Sequence, residues 1–391
     1  MKNLLSAFVF LVFFSACSGP QAEDTSIHME GTITNPAGDE VKISSDNFEH
    51  VFTLDSSAYF EGDFDIEPGY YTFQHGRERS TIYLDPAFDL KVGLDSEMFD
   101  ESITFTGIGS TENNYLVKKY LVEEEMSSDM RSFYSMDEST FAKTNEANKN
   151  KVIDLLNNQQ NLDADFLVKE KLNINYDYLG AAKNFESYHG YFTGNRDFKA
   201  TSTYNKQFED IDFENEEYFK TIPSYHDMVR NYFLGGSLDE ALGKLENIKS
   251  TYIIEEMVEV LSGFISPGTE ALKEKIDLMK TMTSDDEVKT KLDQQYEQMK
   301  ALAKGNPSPG FNFENIVGKQ VDLKDLMGKN VYIDVWATWC GPCKAEIPHL
   351  KELEKSYHGK NVEFVSISVD VPKDKQKWKD MVADKELKGV Q

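Results

Sequence analysis

Cysteine is scarce in this chain, with three in 391 residues. A structural zinc site needs four ligands, commonly two Cys pairs, and the one pair present here cannot supply them. Positive charge is scarce too: 41 Lys and Arg stand against 68 Asp and Glu, for a net charge of −27 at pH 7. Nucleic-acid binding rests on a basic surface that neutralises phosphates, and an excess of this sign repels polyanions instead. Arginine is absent from Pro307 to Gln391, where 13 Lys balance 7 Asp and 6 Glu. The excess negative charge therefore lies before Pro307, which marks a domain boundary near residues 304–309. The apolar run Leu4–Phe14 has 11 residues, broken only by Ser6, and is too short to span a bilayer, which takes about 20.

What is present is enough to fold. Forty per cent hydrophobic and 12% aromatic residues are ordinary for a globular protein. A chain of 391 residues exceeds one compact core, and the patterning divides it into three domains behind a processing signal.

Lys2 and the Leu4–Phe14 run read as a secretory signal peptide. Phe14-Ser15-Ala16-Cys17 follows and resembles the lipobox at which lipoprotein signals are cleaved and the Cys is lipidated, with Phe14 in place of the usual Leu. Residues 1–17 are thus expected to be a lipoprotein signal ending at Cys17, and 18–26 a polar tether. Acyl chains on Cys17 would hold the protein at a membrane, each buried methylene contributing about 0.8 kcal/mol.

From 27 to 110, short runs alternate apolar and polar residues, as in Val41-Lys42-Ile43, Val51 to Leu54, Tyr70 to Phe73 and Ile103-Thr104-Phe105. Asn35-Pro36, Pro68-Gly69 and Asp85-Pro86 punctuate them, which predicts an antiparallel β-sandwich or small barrel with one buried face per strand. The stretch Phe105 to Asn113 resembles the end of the β-rich domain of unknown function that precedes redoxin domains in many envelope lipoproteins. Residues 111–304 show helical spacing instead, as in Leu238, Ala241, Leu242, Leu245 and Ile248. Helices are expected near 112–126, 140–160 and 269–303, with Ser237 and Glu240 forming a capping box at another. His189 and His226 lie in aromatic-rich stretches and are read as structural histidines.

Chemistry is concentrated in the last segment, 307–391. Val331 to Trp336 reads as a buried strand, and Ala337-Thr338-Trp339-Cys340-Gly341-Pro342-Cys343 leads from it into a helix. A Cys-x-x-Cys placed there puts the first sulfur at a helix N-terminus, where unpaired N–H groups and the helix dipole stabilise a thiolate. The thiol pKa can fall from about 8.5 into the range of roughly 3.5 to 7.5. Cys340 becomes the attacking nucleophile, and Cys343, about one turn on, the resolving thiol. Covalent haem attachment expects His after the second Cys, where Lys344 stands.

The run from Trp336 to Cys343, with Glu346 and Pro348 beyond it, resembles the thioredoxin superfamily and, within it, the TlpA/ResA-like thiol-disulfide oxidoreductases of the cell envelope. The resemblance covers about the last 85 residues and implies an α/β thioredoxin-like fold. It implies that Asp334 is the buried carboxylate beneath the pair that helps move the resolving thiol's proton, and that Glu346 tunes the pair. Trp339 is expected beside the exposed sulfur, and Pro348 to kink the helix. Gly341-Pro342 resembles reducing members, and a role in cytochrome c maturation is within the family's range. A peroxidase of the related peroxiredoxins would have Thr three residues before its Cys and a supporting Arg, but Ala337 stands there and the segment has no Arg. The thioredoxin fold normally continues with an antiparallel strand pair preceded by a cis-proline, which nothing here matches, so the domain is expected to be truncated.

The expected protein is therefore an envelope thiol-disulfide oxidoreductase needing no metal or organic cofactor. Its partners would be protein thiols and disulfides, an upstream electron donor and, through Cys17, a membrane. The alternative is a non-enzymatic lipoprotein whose β-rich and helical domains bind a ligand or partner. Mass spectrometry of the mature N-terminus should find acylated Cys17; an unmodified terminus at another residue contradicts the lipobox reading.

Overall fold

The computed structural model describes residues 25–46 and 48–391. The signal segment, Cys17 and most of the 18–26 tether lie outside the described residues. The chain divides into two compact units, the first built from residues up to 264 with 277–289, the second from 265–276 with 290–391.

In the first unit, alternating sequence becomes eight strands: β1 (Ser26–Thr34), β2 (Glu40–Ser45), β3 (Phe48–Thr53), β4 (Tyr59–Asp65), β5 (Gly69–His75), β6 (Glu78–Leu84), β7 (Asp89–Asp95) and β8 (Thr104–Ile108). They form two four-stranded sheets, ordered β4-β1-β7-β8 and β3-β2-β5-β6. Period-2 patterning buries one side of each strand, as with Ile27, Met29 and Ile33 on β1 or Val41 and Ile43 on β2. The expectation of purely antiparallel pairing is corrected in one place. β1 and β7 run parallel, with Met29 opposite Leu90 and Ile33 opposite Leu94. Alternation reports which face a residue occupies and is blind to strand direction, and the long path through β2 to β6 supplies the crossover that a parallel pair requires.

Helices Ser110–Ser127, Glu138–Asn157 and Ala164–Thr193 follow, and their apolar faces extend the core of the sheets through Tyr115, Leu116, Val152, Leu156, Phe166 and Ile174. Two polar devices join helices to strands. The Asn113 amide donates to the Tyr83 carbonyl and accepts from the Tyr83 N–H, both at 2.9 Å, so it satisfies backbone groups on the free edge of β6. The fully buried Glu170 accepts from Lys119 Nζ at 2.8 Å, Tyr115 Oη at 3.1 Å and Tyr70 Oη at 2.5 Å. Those donors satisfy the oxygens of a buried carboxylate and offset its loss of water.

The predicted capping box is present, with Glu240 N–H on Ser237 Oγ at 3.2 Å and Ser237 N–H on Glu240 Oε2 at 2.8 Å. The two histidines have structural partners: His189 Nδ1 is 2.9 Å from the Tyr134 carbonyl, and His226 Nε2 is 2.6 Å from Glu256 Oε1. Burial works against charge on His226, but hydrogen bonds to Asp227 and Glu256 outweigh it and raise its pKa to about 9.

The second unit carries β9 (Asn312–Glu314) paired antiparallel with β10 (Gln320–Asp322), then β11 (Asn330–Trp336), helix Gly341–Tyr357, β12 (Val362–Ser368) and helix Lys375–Asp384. β11 and β12 are parallel, in register from Asn330 opposite Val362 to Trp336 opposite Ser368. The strand Val331 to Trp336 and the helix after it lie where the sequence reading places them, but the expectation that this strand is buried is corrected. Trp336 is 4% exposed, whereas Tyr332, Ile333 and Val335 are 45%, 42% and 58% exposed. A parallel strand is buried on both faces only where layers cover both, and among the described residues β11 pairs with β12 alone.

Candidate redox site

The loop from Trp336 to Cys340 carries the chain from the end of β11 into helix Gly341–Tyr357. Cys340 is the N-cap of that helix, with extended backbone angles of φ −78° and ψ 103°. Its Sγ accepts a hydrogen bond from the backbone N–H of Cys343 at 3.2 Å. A sulfur therefore occupies the place where Ser, Thr or Asp oxygens ordinarily satisfy the free N–H groups of a helix start. Pro342 fits in the first turn, where its missing N–H breaks no intrahelical bond.

Cys340 and Cys343 form a disulfide across a Cα separation of 5.3 Å. Both cysteines are partly buried. Cys343 packs against the cluster of Trp336, Trp378 and Val382, while Trp339 beside Cys340 is 65% exposed. Pro348 lies within the helix.

Behind Cys343 lies a cavity of about 230 Å³, whose lining includes Asp334, Glu346 and His349 together with Trp336 and Ile347. Sequence reasoning named Asp334 and Glu346, and both line the cavity with Cys343; Glu346 is one helical turn beyond Cys343 and shares its face. Asp334 is partly buried on β11, and Glu346 is exposed at the rim. Burial, and next the negative charge of Glu346, raise the Asp334 carboxyl above its ordinary pKa. His349, three residues after Glu346, was not singled out in the sequence because nothing distinguishes a helix-surface histidine from one turned to a cavity.

Asp370 was also missed. Its carboxylate accepts from Thr338 N–H at 3.0 Å, Thr338 Oγ1 at 2.7 Å and Ser368 Oγ at 2.6 Å. Local spacing cannot reveal this contact, since 32 residues separate Thr338 from Asp370. The parallel register does, because it ends with Trp336 opposite Ser368, and Thr338 and Asp370 each lie two residues past those strand ends.

The Asp334 and Glu346 coupling has a defined sign. Replacing Glu346 by Gln removes a like charge, so residue-resolved carboxyl NMR should show Asp334 titrating at lower pH than in the unaltered chain. An unchanged titration would mean that Glu346 does not act on Asp334.

Comparison with known proteins finds relatives of part of this chain. A family model described as AhpC/TSA matches residues 304–384. The thiol-disulfide oxidoreductase ResA of Bacillus thuringiensis (strain Al Hakam) is 41% identical over 66 residues, covering 17% of this chain and 38% of that protein. ResA of Bacillus subtilis (strain 168) is 38% identical over 69 residues, covering 18% of this chain and 38% of its own length. A solved Bacteroides vulgatus protein, ascribed to the thiol-disulfide oxidoreductases, is 55% identical across 23% of this chain and 59% of that one, with a TM-score of 0.21. The chain thus spans well under half the length of these curated relatives. The C-terminal residues 304–384 are thioredoxin-like and match the AhpC/TSA family model, and the chain is similar over part of its length to the ResA thiol-disulfide oxidoreductases.

Proposed function

We propose that this protein exchanges dithiols and disulfides with protein partners in the cell envelope, through Cys340 as attacking thiol and Cys343 as resolving thiol. The observation that carries the reading is Cys340 Sγ at the helix N-terminus, accepting the Cys343 N–H at 3.2 Å. A sulfur so placed is stabilised as a thiolate, which is the reacting form.

In the reductive direction the Cys340 thiolate attacks one sulfur of a partner disulfide. The partner's S–S bond breaks, a mixed disulfide forms, and one partner thiolate leaves and is protonated. Cys343, once deprotonated, attacks Cys340 Sγ and releases the second partner thiolate. Two electrons have then passed to the partner, and the protein holds the Cys340–Cys343 disulfide. Asp334 is the group proposed to take the Cys343 proton, because its carboxyl lines the same cavity and is pushed up by burial and by Glu346. Glu346 tunes that acidity, and no metal or organic cofactor enters the steps.

The direction is proposed as reduction, on the Gly341-Pro342 dipeptide, with a reduced dithiol protein as the upstream electron donor. Location follows from the sequence: the Leu4–Phe14 signal, lipidation at Cys17 and the 18–26 tether would hold the protein at a membrane surface facing the periplasm. Residues 27–110 and 111–304 are proposed as the β-rich and helical domains carried with the redox domain 307–391.

The test uses the reduced chain and a protein disulfide such as insulin. The unaltered chain should accelerate reduction, Cys340→Ser should abolish it, and Cys343→Ser should accumulate a mixed disulfide through Cys340. No acceleration by the reduced chain, or trapping that survives loss of Cys340, would overturn the assignment.

A further inference from the structure

We propose that Asp370 is a positioning residue for the redox pair: through Thr338 it latches the loop that presents Cys340 Sγ to the start of helix Gly341–Tyr357. The proposal rests on the exchange reading above and deepens it.

The latch uses both carboxylate oxygens. Oδ1 accepts from Thr338 Oγ1 at 2.7 Å and from Thr338 N–H at 3.2 Å, and Oδ2 accepts from the same N–H at 3.0 Å and from Ser368 Oγ at 2.6 Å. Ser368 Oγ in turn accepts the Asp370 N–H at 3.1 Å, so the carboxylate is itself held in place. Thr338 is 1% exposed, and its N–H and hydroxyl would be buried donors without acceptors if the carboxylate were removed.

The loop is pinned on either side of Thr338 as well. Val369 N–H donates to the Trp336 carbonyl at 2.9 Å, and Cys340 N–H donates to the Ala337 carbonyl at 3.1 Å. Trp336, Ala337, Thr338 and Cys340 are thus each held by a hydrogen bond, and the side chain in the set that reaches across from the neighbouring strand end is Asp370. The helix start needs such fixing, because the sulfur's bond to the Cys343 N–H depends on the extended angles at Cys340. Burial would raise the Asp370 pKa, yet the hydrogen bonds from Ser368 and Thr338 outweigh it and hold the carboxyl below its ordinary range. A carboxyl held below its ordinary range is ionised near neutral pH, where the exchange is proposed to run.

A fixed anion near a thiol has two opposing effects. Its charge disfavours the thiolate, whereas its grip on the loop favours it by preserving the N-cap geometry. The charge is already committed to hydroxyl and N–H donors, and the cap bond is direct at 3.2 Å, so the geometric effect dominates. The sign of the change on substitution separates the two.

The experiment follows Cys340 alkylation by iodoacetamide against pH in the reduced full chain, resolved by peptide mass spectrometry. Asp370→Ala should raise the midpoint by about one pH unit, a tenfold loss of thiolate at any pH well below it. Asp370→Asn, isosteric and still an acceptor, should recover at least half of that shift. Thr338→Val, which keeps the carboxylate and loses one bond, should shift the midpoint the same way by less, and its effect should not add to that of Asp370→Ala. An unchanged or lowered midpoint in Asp370→Ala overturns the proposal, the lowered case meaning that the carboxylate acts by charge alone. Should Asp370→Ala fail to fold, Thr338→Val decides, and an unshifted midpoint there overturns it. A midpoint near about 8.5 in the unaltered chain is a different outcome, because it sinks the exchange reading itself.

Discussion

The account depends on one short contact, the backbone N–H of Cys343 donating to Cys340 Sγ at 3.2 Å. That contact turns an ordinary thiol into the cap of a helix, where the charge of a thiolate meets unpaired N–H groups and the positive end of the helix dipole. It also sets the spacing of the pair, since a residue capping a helix lies one turn from the residue whose N–H it accepts, and the second sulfur sits on that residue. The proposed nucleophile and resolving thiol are both placed by this local geometry. The cavity behind Cys343 is also lined by Asp334 and Glu346, where the proposed exchange needs a group to hold the Cys343 proton.

In the second unit, a strand pair leads to that contact. β11 delivers the loop, β12 runs parallel beside it, and their register aligns Asp370 with Thr338. The first unit is stabilised by different means. Its two sheets and three of its helices share a large aromatic and aliphatic core, with Asn113 satisfying an open strand edge and Glu170 collecting Lys119 and two tyrosine hydroxyls. His189 and His226 are absorbed by a carbonyl and a carboxylate partner.

How much was legible in the sequence depended on whether the determining contacts are local. The Ser237–Glu240 capping box and the Cys340 to Cys343 spacing on a strand-to-helix turn are written within a few residues, and they appear where expected. Strand alternation also read correctly as strands with one buried side. The parallel β1–β7 pair was illegible, because the side-chain period is 2 whichever way a strand runs. Asp370 was illegible for a related reason, since the register that brings it to Thr338 exists only once β11 and β12 have paired. The exposure of Tyr332, Ile333 and Val335 was misread because an apolar run signals a strand without saying how many layers cover it.

The most direct measurement is a titration of the two thiols in the reduced protein, followed residue by residue through the Cβ chemical shifts of labelled cysteine. The account predicts that Cys340 ionises within the range of roughly 3.5 to 7.5 and that Cys343 ionises well above it. A Cys340 midpoint at the ordinary value of about 8.5, or two thiols with the same midpoint, would contradict it.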